Sequence, residues 1–438
     1  EELIDELSMS NSLRVRPRGA VMGYKASAQN PRDIGRELSV DIIVDGSIRR
    51  VGDLLRVRVG LISIGDGFQI WAERFKGSAS DIFDISEQAA RAIVEALTAD
   101  ELDTPQPAVA DSQAVDLYLK ARHTMHEGWF GDLKPAIELF ERALSEAPDD
   151  PRILAGAALA HARATFYGSA ERAEHLERAQ TYAKRALSIA PSRPEPRLAL
   201  ARVHFARMEY GEAIEHLQKA LASAPSNADA HDEMGRILRE IGPLDTAVRH
   251  IETALELNPR MYRARFSLAQ AKALAGDWAQ VDRLLEAPAD SEQALNTREA
   301  TRSRLDLWRE QPQWFDEDNE RPLTHDSPPI RQMSHLRREL IRGGGGLSAE
   351  HRAFVRGFIE HSAEGSRIEL VARQLVAEAF AYQGDFDAAL EHIELGVDHG
   401  LLDLMWLERC PLLDPLRDAP RFRACRDRID ERVESMRS

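Results

Sequence analysis

Apolar positions along the chain follow two rhythms, and the change between them falls near residue 100. In "VDIIVDGSIRRVGDLLRVRVGLISIGDGFQIWAERF" apolar and polar residues alternate: Ile42, Val44 and Ile48, then Leu55, Val57, Val59 and Leu61, then Trp71 and Phe75. Period two is the mark of a half-buried sheet. The "VGD" and "GDG" turns between the runs predict an antiparallel three-stranded meander over 41–75. "EELIDELSMS" before it and "DIFDISEQAARAIVEAL" after it have helical spacing, and "LRVRP" reads as a short strand.

Beyond residue 112 the spacing becomes three to four, which predicts helices. One phrase returns four times: "AIELFERALSEAP", "AQTYAKRALSIAP", "AIEHLQKALASAP" and "AVRHIETALELNP". Each has Ala, six residues, Ala, four residues, Pro. Alanines seven apart share one helical face, where a methyl lets a neighbouring helix approach closely. The prolines, Pro148, Pro191, Pro225 and Pro259, stop each helix. Their steps of 43, 34 and 34 residues predict a helical repeat array. A partner helix precedes the later copies: "RPEPRLALARVHFAR" carries Leu200, Val203 and His204, and "ADAHDEMGRILREIG" carries Met234, Ile237 and Leu238.

These residues resemble the tetratricopeptide repeat, with its antiparallel helix pairs, small residues at helix contacts and terminal Pro. Gly235 stands where that family places a small residue in its first helix, and Ala201 and Ala158 stand there in neighbouring units. The second copy has nine extra residues around "TFYGSAERAEH", which predicts a longer loop. The first helix of copy one, "AVDLYLKARHTMHE", is looser. A fifth unit over 262–286 turns at "AGDW" and has Val281 in place of Ala. The resemblance covers 113–288.

Residues 1–99 resemble the TolB-like amino-terminal module found before such repeats in bacterial signalling proteins. "IGRELSVDIIVDGSIRRVGDLLRVRVGLI", "QIWAERF" and "DIFDISEQAARAIVEAL" carry that resemblance. In that family a hydrophobic strand and a glycine-rich turn precede the first helix, whereas this chain opens inside that helix. With no initiator Met, residue 1 is not read as a natural start. The resemblance implies a place downstream of a Ser/Thr kinase, a nucleotide cyclase or a winged-helix regulator. None of those segments is found in these residues.

The fold class expected is therefore a multidomain α protein: an α-solenoid of helix pairs behind a small α/β domain. The α/β domain covers 1–99 and lacks its first strand. A linker over 100–112 follows, then the array over 113–288, an irregular to helical connector over 289–345, and repeat-like helices with a cap over 346–438. The Pro-rich, acidic "ADELDTPQPAVADS" predicts that the α/β domain separates there on proteolysis. "QPQWFDEDNERPLTHDSPPIRQMS" has four prolines and no period, and a connection of that length is functional or mobile as a rule. "IELVARQLVAEAFAYQGDFDAALEHIELGVDHG" has the repeat shape and turns at Gly384. "LLDPLRDAPRFRACRDRIDERV" reads as a terminal cap.

Charge narrows the partners. The chain holds 57 basic and 73 acidic residues, net −16, and 1–99 are nearly balanced, so the acidity lies in the helical part. That disfavours nucleic acid and anionic membranes, whose affinity comes from phosphate contacts. No apolar run approaches the roughly 18 residues that cross a bilayer, and no signal peptide opens the chain. Two cysteines, Cys410 and Cys425, are too few for a disulfide framework. A reducing, cytoplasmic location is expected, or a periplasmic one if a membrane helix lies upstream.

Catalytic chemistry finds no foothold. "RGGGGLS" over 342–348 lacks the Gly-Lys-Ser/Thr ending of a phosphate loop and reads as a hinge. "DEDNE" over 316–320 lacks the Gly and the Glu of a calcium loop and reads as a solvated acidic stretch. His123 and His126 have no accompanying ligand pattern. Arg49, Arg50, Arg56 and Arg58 alternate with apolar residues and read as a solvated or helix-covered face. No Ser-His-Asp or Cys-His set is legible. No catalytic, cofactor-binding or metal residue is expected.

The resemblance does imply a binding surface, since in tetratricopeptide arrays the first helix of each pair lines a concave groove. It places there Tyr118 and Arg122, then Leu198, Arg202 and Phe205, then Asp232, Arg236 and Arg239, then Arg263, Phe266 and Gln270. Arginine forks onto carboxylates and an aromatic supplies a buried anchor, so the row suggests an acidic peptide partner. The competing reading is an ordinary exposed pair between Arg236 and Asp232 one turn earlier. The family's carboxylate clamp also uses Lys and Asn, which these positions lack. The expected function is a non-catalytic, protein-binding regulatory region of a bacterial signalling protein. The alternatives are the C-terminal part of a kinase or cyclase with its catalytic domain upstream, and a structural subunit of a larger assembly.

Overall fold

The computed structural model describes residues 2–98, 112–287, 292–309 and 367–437, apart from short stretches at 11, 26–28, 52–53, 66, 68, 128–132 and 166–171, with a few further residues between 353 and 359. Most of the predicted linker, the segment 311–334, the glycine run at 342–348, "DEDNE" and the side chain of His126 lie outside the described residues.

The alternating segment forms the meander: β1 (Ile42–Val51), β2 (Leu54–Ser63) and β3 (Gln69–Ser78), antiparallel in that order. Val57 faces Ile48 on one side and Phe75 on the other. The face of Val59, Leu61 and Phe75 is buried against helices α1 (Glu2–Ser8) and α4 (Ile82–Leu97), through Leu7, Ile85, Ala89 and Ile93. Short helices α2 (Arg18–Val21) and α3 (Pro31–Glu37) lie between α1 and β1. A capping box between Ser78 and Asp81 stops β3 and leads into α4. Arg49, Arg50, Arg56 and Arg58 are exposed. "LRVRP" is not a strand. Its backbone bonds a repeat loop instead: Val15 N–H donates to Ser226 Oγ at 3.3 Å, and that hydroxyl donates to the Leu13 carbonyl at 3.2 Å.

The repeats form five antiparallel pairs: α5 (Ser112–Glu127) with α6 (Lys134–Glu146), α7 (Pro151–Ala164) with α8 (Arg172–Ile189), α9 (Pro194–Ala206) with α10 (Tyr210–Ser223), α11 (Ala228–Ile241) with α12 (Leu244–Leu257), and α13 (Tyr262–Leu274) with α14 (Trp278–Glu286). Ala143, Ala186, Ala220 and Ala254 have no exposed surface. At Gly235 a Cβ would lie 2.4 Å from Ile251 Cγ1 and 3.0 Å from the Ala247 carbonyl oxygen, so only glycine admits this approach of α11 to α12. Repeats two, three and four each set a histidine of the first helix against one of the second. His161 Nδ1 and His175 Nδ1 are 2.8 Å apart, His231 Nδ1 and His250 Nδ1 are 2.9 Å apart, and the His204 and His216 rings stack with centroids 5.3 Å apart.

Helix α15 (Glu292–Arg309) follows, and then the pair α16 (Arg367–Tyr382) and α17 (Phe386–Asp398), which turns at Gly384 with φ +77°. The chain continues through α18 (Leu404–Arg409) to α19 (Pro420–Arg437). This unit does more than cap an open end. Its Phe380, Trp406 and Leu407 share one core with Leu198, Phe205 and Tyr210 of the third repeat. Glu378, fully buried on α16, ties it together by accepting from Arg304 of α15 at 2.6 Å and from the Trp406 indole at 2.8 Å.

The N-terminal module is also docked, through buried and half-buried ion pairs. Arg122 reaches Glu2 at 2.5 Å and Asp5 at 2.7 Å, Arg152 reaches Glu87 at 2.5 Å, and Arg193 reaches Glu6 at 3.3 Å. These contacts join the module expected over 1–99 to the repeats, while most of the linker expected to be cut first by a protease lies outside the described residues. Breaking a buried pair strands an uncompensated charge.

Candidate interaction groove

The inner helices α9, α11 and α13 bring the predicted residues together. Helical spacing sets Arg202 and Phe205 on α9, Arg236 and Arg239 on α11, and Arg263 and Phe266 on α13 along one face. The centre of that face is a carboxylate. Glu233, almost wholly buried, accepts from Arg202 Nε at 2.9 Å, Arg236 Nη1 at 3.0 Å and Arg263 Nη1 at 3.0 Å. Arg263 also pairs with Asp232, which has no exposed surface. Arg239 lies 3.5 Å from Glu240.

Burial opposes ionisation of Glu233, but Arg263, Arg236 and Arg202 outweigh it and hold the carboxyl well below the usual range. At Asp232 burial prevails over Arg263 and Arg236, and its carboxyl is raised. Burial pushes Arg236 down to about 10, against the pull of Glu233. Together these groups form an internal charge cluster with little water around it.

The aromatic anchors are also occupied. Phe205 and Phe266 are 5% and 3% exposed. Arg367, at the start of α16, lies over the Phe205 ring, pairs with both oxygens of Glu240 and donates to Tyr210 Oη at 3.3 Å. Tyr210 Oη in turn donates to Glu240 Oε2 at 2.8 Å. Helix α18 packs on α11 and α13. Near the N-terminal end Tyr118 is buried edge-on against Phe83 and Phe140, and Arg122 turns to Glu2 and Asp5. Gln270 is half-buried on α13.

The expected row thus exists, but the expectation of open arginines waiting for an acidic peptide is corrected. Acidic groups of the same chain already answer Arg122, Arg202, Arg236, Arg239 and Arg263. The competing reading of an exposed pair is corrected in its exposure, because Asp232 is fully buried and Arg236 donates to buried Glu233. Sequence reasoning missed Glu233, Glu240 and Arg367. The alternation of acids and arginines in "DAHDEMGRILRE" held a signal for the first two, since groups three or four apart on a buried face must be paired. Arg367 lies more than a hundred residues away from its partners and had no local signal.

Among the described residues no cluster of His, Cys, Asp or Glu is arranged to hold a metal ion, and no helix is long and apolar enough to cross a membrane.

Comparison with known proteins agrees with the helix pairs. Two tetratricopeptide repeat family models match residues 170–237 and 233–280. A curated relative from Rhizobium meliloti (strain 1021), named "Putative adenylate cyclase 3", is 32% identical over 130 residues, which is 28% of this chain and 22% of the relative. The chain thus spans about a fifth of the length of the curated relative it matches. Among solved structures, the human IFIT1 dimer with PPP-AAAA is 15% identical with a TM-score of 0.35, covering 72% of this chain and 79% of that one. The C-terminal part of a TPR repeat-containing protein from Cytophaga hutchinsonii is 13% identical with a TM-score of 0.31, covering 65% and 93%. What those proteins bind is a property of those proteins. Residues 170–280 thus match tandem tetratricopeptide repeats, a repeat class that serves as a protein-interaction scaffold, and they follow a small three-stranded sheet.

Proposed function

We propose that this chain is the protein-binding regulatory region of a bacterial signalling protein whose catalytic part lies outside these residues. The observation that carries the reading is the inner face of α9, α11 and α13, where three arginines converge on Glu233 and Arg367 covers Phe205. This is a repeat groove filled by its own chain. A carboxylate-bearing partner would enter by taking the place of acids such as Glu240, as the C-terminal helices withdraw. The N-terminal module resembles a TolB-like module and would hold the other end of the array through Arg122, Arg152 and Arg193. Similarity to the cyclase-named relative favours a nucleotide cyclase over a kinase as the absent catalytic part.

The test is affinity capture with residues 1–438 as bait, run beside an adenylate cyclase assay of the same protein. A stoichiometric protein partner and no turnover of ATP are the expected results. Turnover by these residues alone would overturn the reading, as would the absence of any saturable protein partner.

A further inference from the structure

The outward face of the sheet gathers charge of one sign. Odd residues of β2 turn to α1 and α4, so its even residues face away, and the register sets their neighbours. Arg56 of β2 has Arg49 of β1 on one side and Lys76 of β3 on the other. The next row sets Arg58 between Ser47 and Arg74. All five cations are exposed. Helix α3 reaches the far end of the sheet, where Gly35 packs on Ile64, and leaves these rows bare.

Folding does not account for the cluster. Like charges directly opposite one another on a sheet are destabilising. Among the described residues no carboxylate bonds to any of the five. Arg58 donates to the neutral amide of Gln69 at 2.8 Å, and Asp45, on the same face, pairs with none of them. An apolar helix laid on the face would strand its charges. A strand added at either edge would widen the face and leave the cations in place. Nor does the net −16 of the chain neutralise them. The ion pairs to the array come from α1 and α4, on the opposite face. A helix layer about 10 Å thick thus intervenes, beyond the roughly 8 Å over which charge is felt at physiological salt.

We propose that this face docks peripherally on an anionic lipid bilayer, through Arg49, Arg56, Arg58, Arg74 and Lys76. Three features select that partner. A three-stranded face offers no cleft for a small anion. Its centre is charge and carries no aromatic side chain, whereas protein interfaces keep charge out of the centre and place aromatic anchors there. Leu54, 42% exposed, opens the central column that continues through Arg56 and Arg58. The headgroup region of a bilayer takes up an apolar side chain beside cations, whereas a nucleic-acid backbone is held by charge alone. Each cation at an anionic bilayer raises affinity about fivefold, so five together hold the chain reversibly.

The test is cosedimentation of the whole chain with vesicles. The chain should bind vesicles of phosphatidylcholine mixed with phosphatidylglycerol, and not vesicles of phosphatidylcholine alone. Raising the salt from about 0.1 M to about 1 M should release it, as the screening length falls from about 10 Å to about 3 Å. Arg56→Glu with Arg58→Glu should weaken binding at least about tenfold, and so should Arg74→Gln with Lys76→Gln, which leaves the central strand untouched. Circular dichroism checks that each variant stays folded. Arg142→Glu with Arg249→Glu makes the same change in net charge as the first variant, at exposed positions of α6 and α12, and should bind like the natural chain. Indifference to the anionic lipid overturns the proposal. So does unchanged affinity in the folded face variants, or an equal loss in the array variant. Duplex DNA or polyglutamate bound in place of the vesicles also overturns it, and gives the face to that polyanion.

Discussion

The guanidinium of Arg367 lies 3.9 Å from the centroid of the Phe205 ring. One residue opens a helix beyond the array and the other sits on the inner face of its third repeat, so this contact joins the two. Arg367→Ala removes the cation–π contact and leaves Glu240 without its main counter-charge. Losing one partner of a buried pair costs about 3–5 kcal/mol. Hydrogen exchange should accelerate along both 367–382 and 205–241. Acceleration confined to the first turn of α16 would mean that the contact does not hold the C-terminal unit down.

The double change of Arg236 and Arg239 to Glu tests the cluster. If the arginines were exposed, the fold would be indifferent to it. In this structure it sets a new acid against buried Glu233 and another beside buried Glu240. Urea denaturation should show a loss of about 3–5 kcal/mol or an unfolded chain. An unchanged midpoint would restore the open groove.

Ala220→Leu tests the repeat contact. Ala220 has no exposed surface, and three added heavy atoms must displace neighbours. A loss of about 1–3 kcal/mol is expected from overpacking. Thermal melting that matches the natural chain would show a looser contact than the burial of this methyl implies.

Acid should weaken the array at its histidine pairs. Burial first, and then the facing His204 or His231, holds His216 and His250 down to about 4, from an ordinary value of 6.5. The unfolded chain takes up these protons near pH 6.5, while the folded chain refuses them until about 4. Their contribution is thus complete above pH 6.5 and is lost as pH falls towards 4. Melting temperature should fall through that window, and His216→Gln with His250→Gln should flatten the fall. An equally steep fall in the double variant would assign it to other groups.

The array was legible because it rests on local rules. An Ala seven residues from another, a Pro after the helix and a Gly at the closest approach each report on a neighbour within one repeat. The alternation of β1, β2 and β3 was legible for the same reason. The closing of the groove and the docking of the N-terminal module were not. The first depends on Arg367 meeting Glu240 and the second on Glu6 meeting Arg193, pairs distant in sequence that only the finished array brings together. "LRVRP" was misread because its alternation is real but its hydrogen-bond partner is Ser226, far along the chain. A charge row in sequence gives the composition of a surface, and its counter-charges decide whether that surface is open.

The pair between Glu6 and Arg193 has a further consequence for biosynthesis. The two residues are 187 positions apart. At about 5–20 residues per second, a ribosome takes roughly ten to forty seconds to travel from one to the other. During that interval α1 has been made and its dock in the third repeat has not. Leu7 can settle against α4 in the meantime, but Glu6 stays hydrated until "PSRPEP" has emerged. Pausing translation between Arg122 and Arg193 should therefore leave a nascent chain with a formed sheet, with Glu2 and Asp5 paired to Arg122 and with Glu6 still hydrated, and release should bury Glu6 in step with the third repeat.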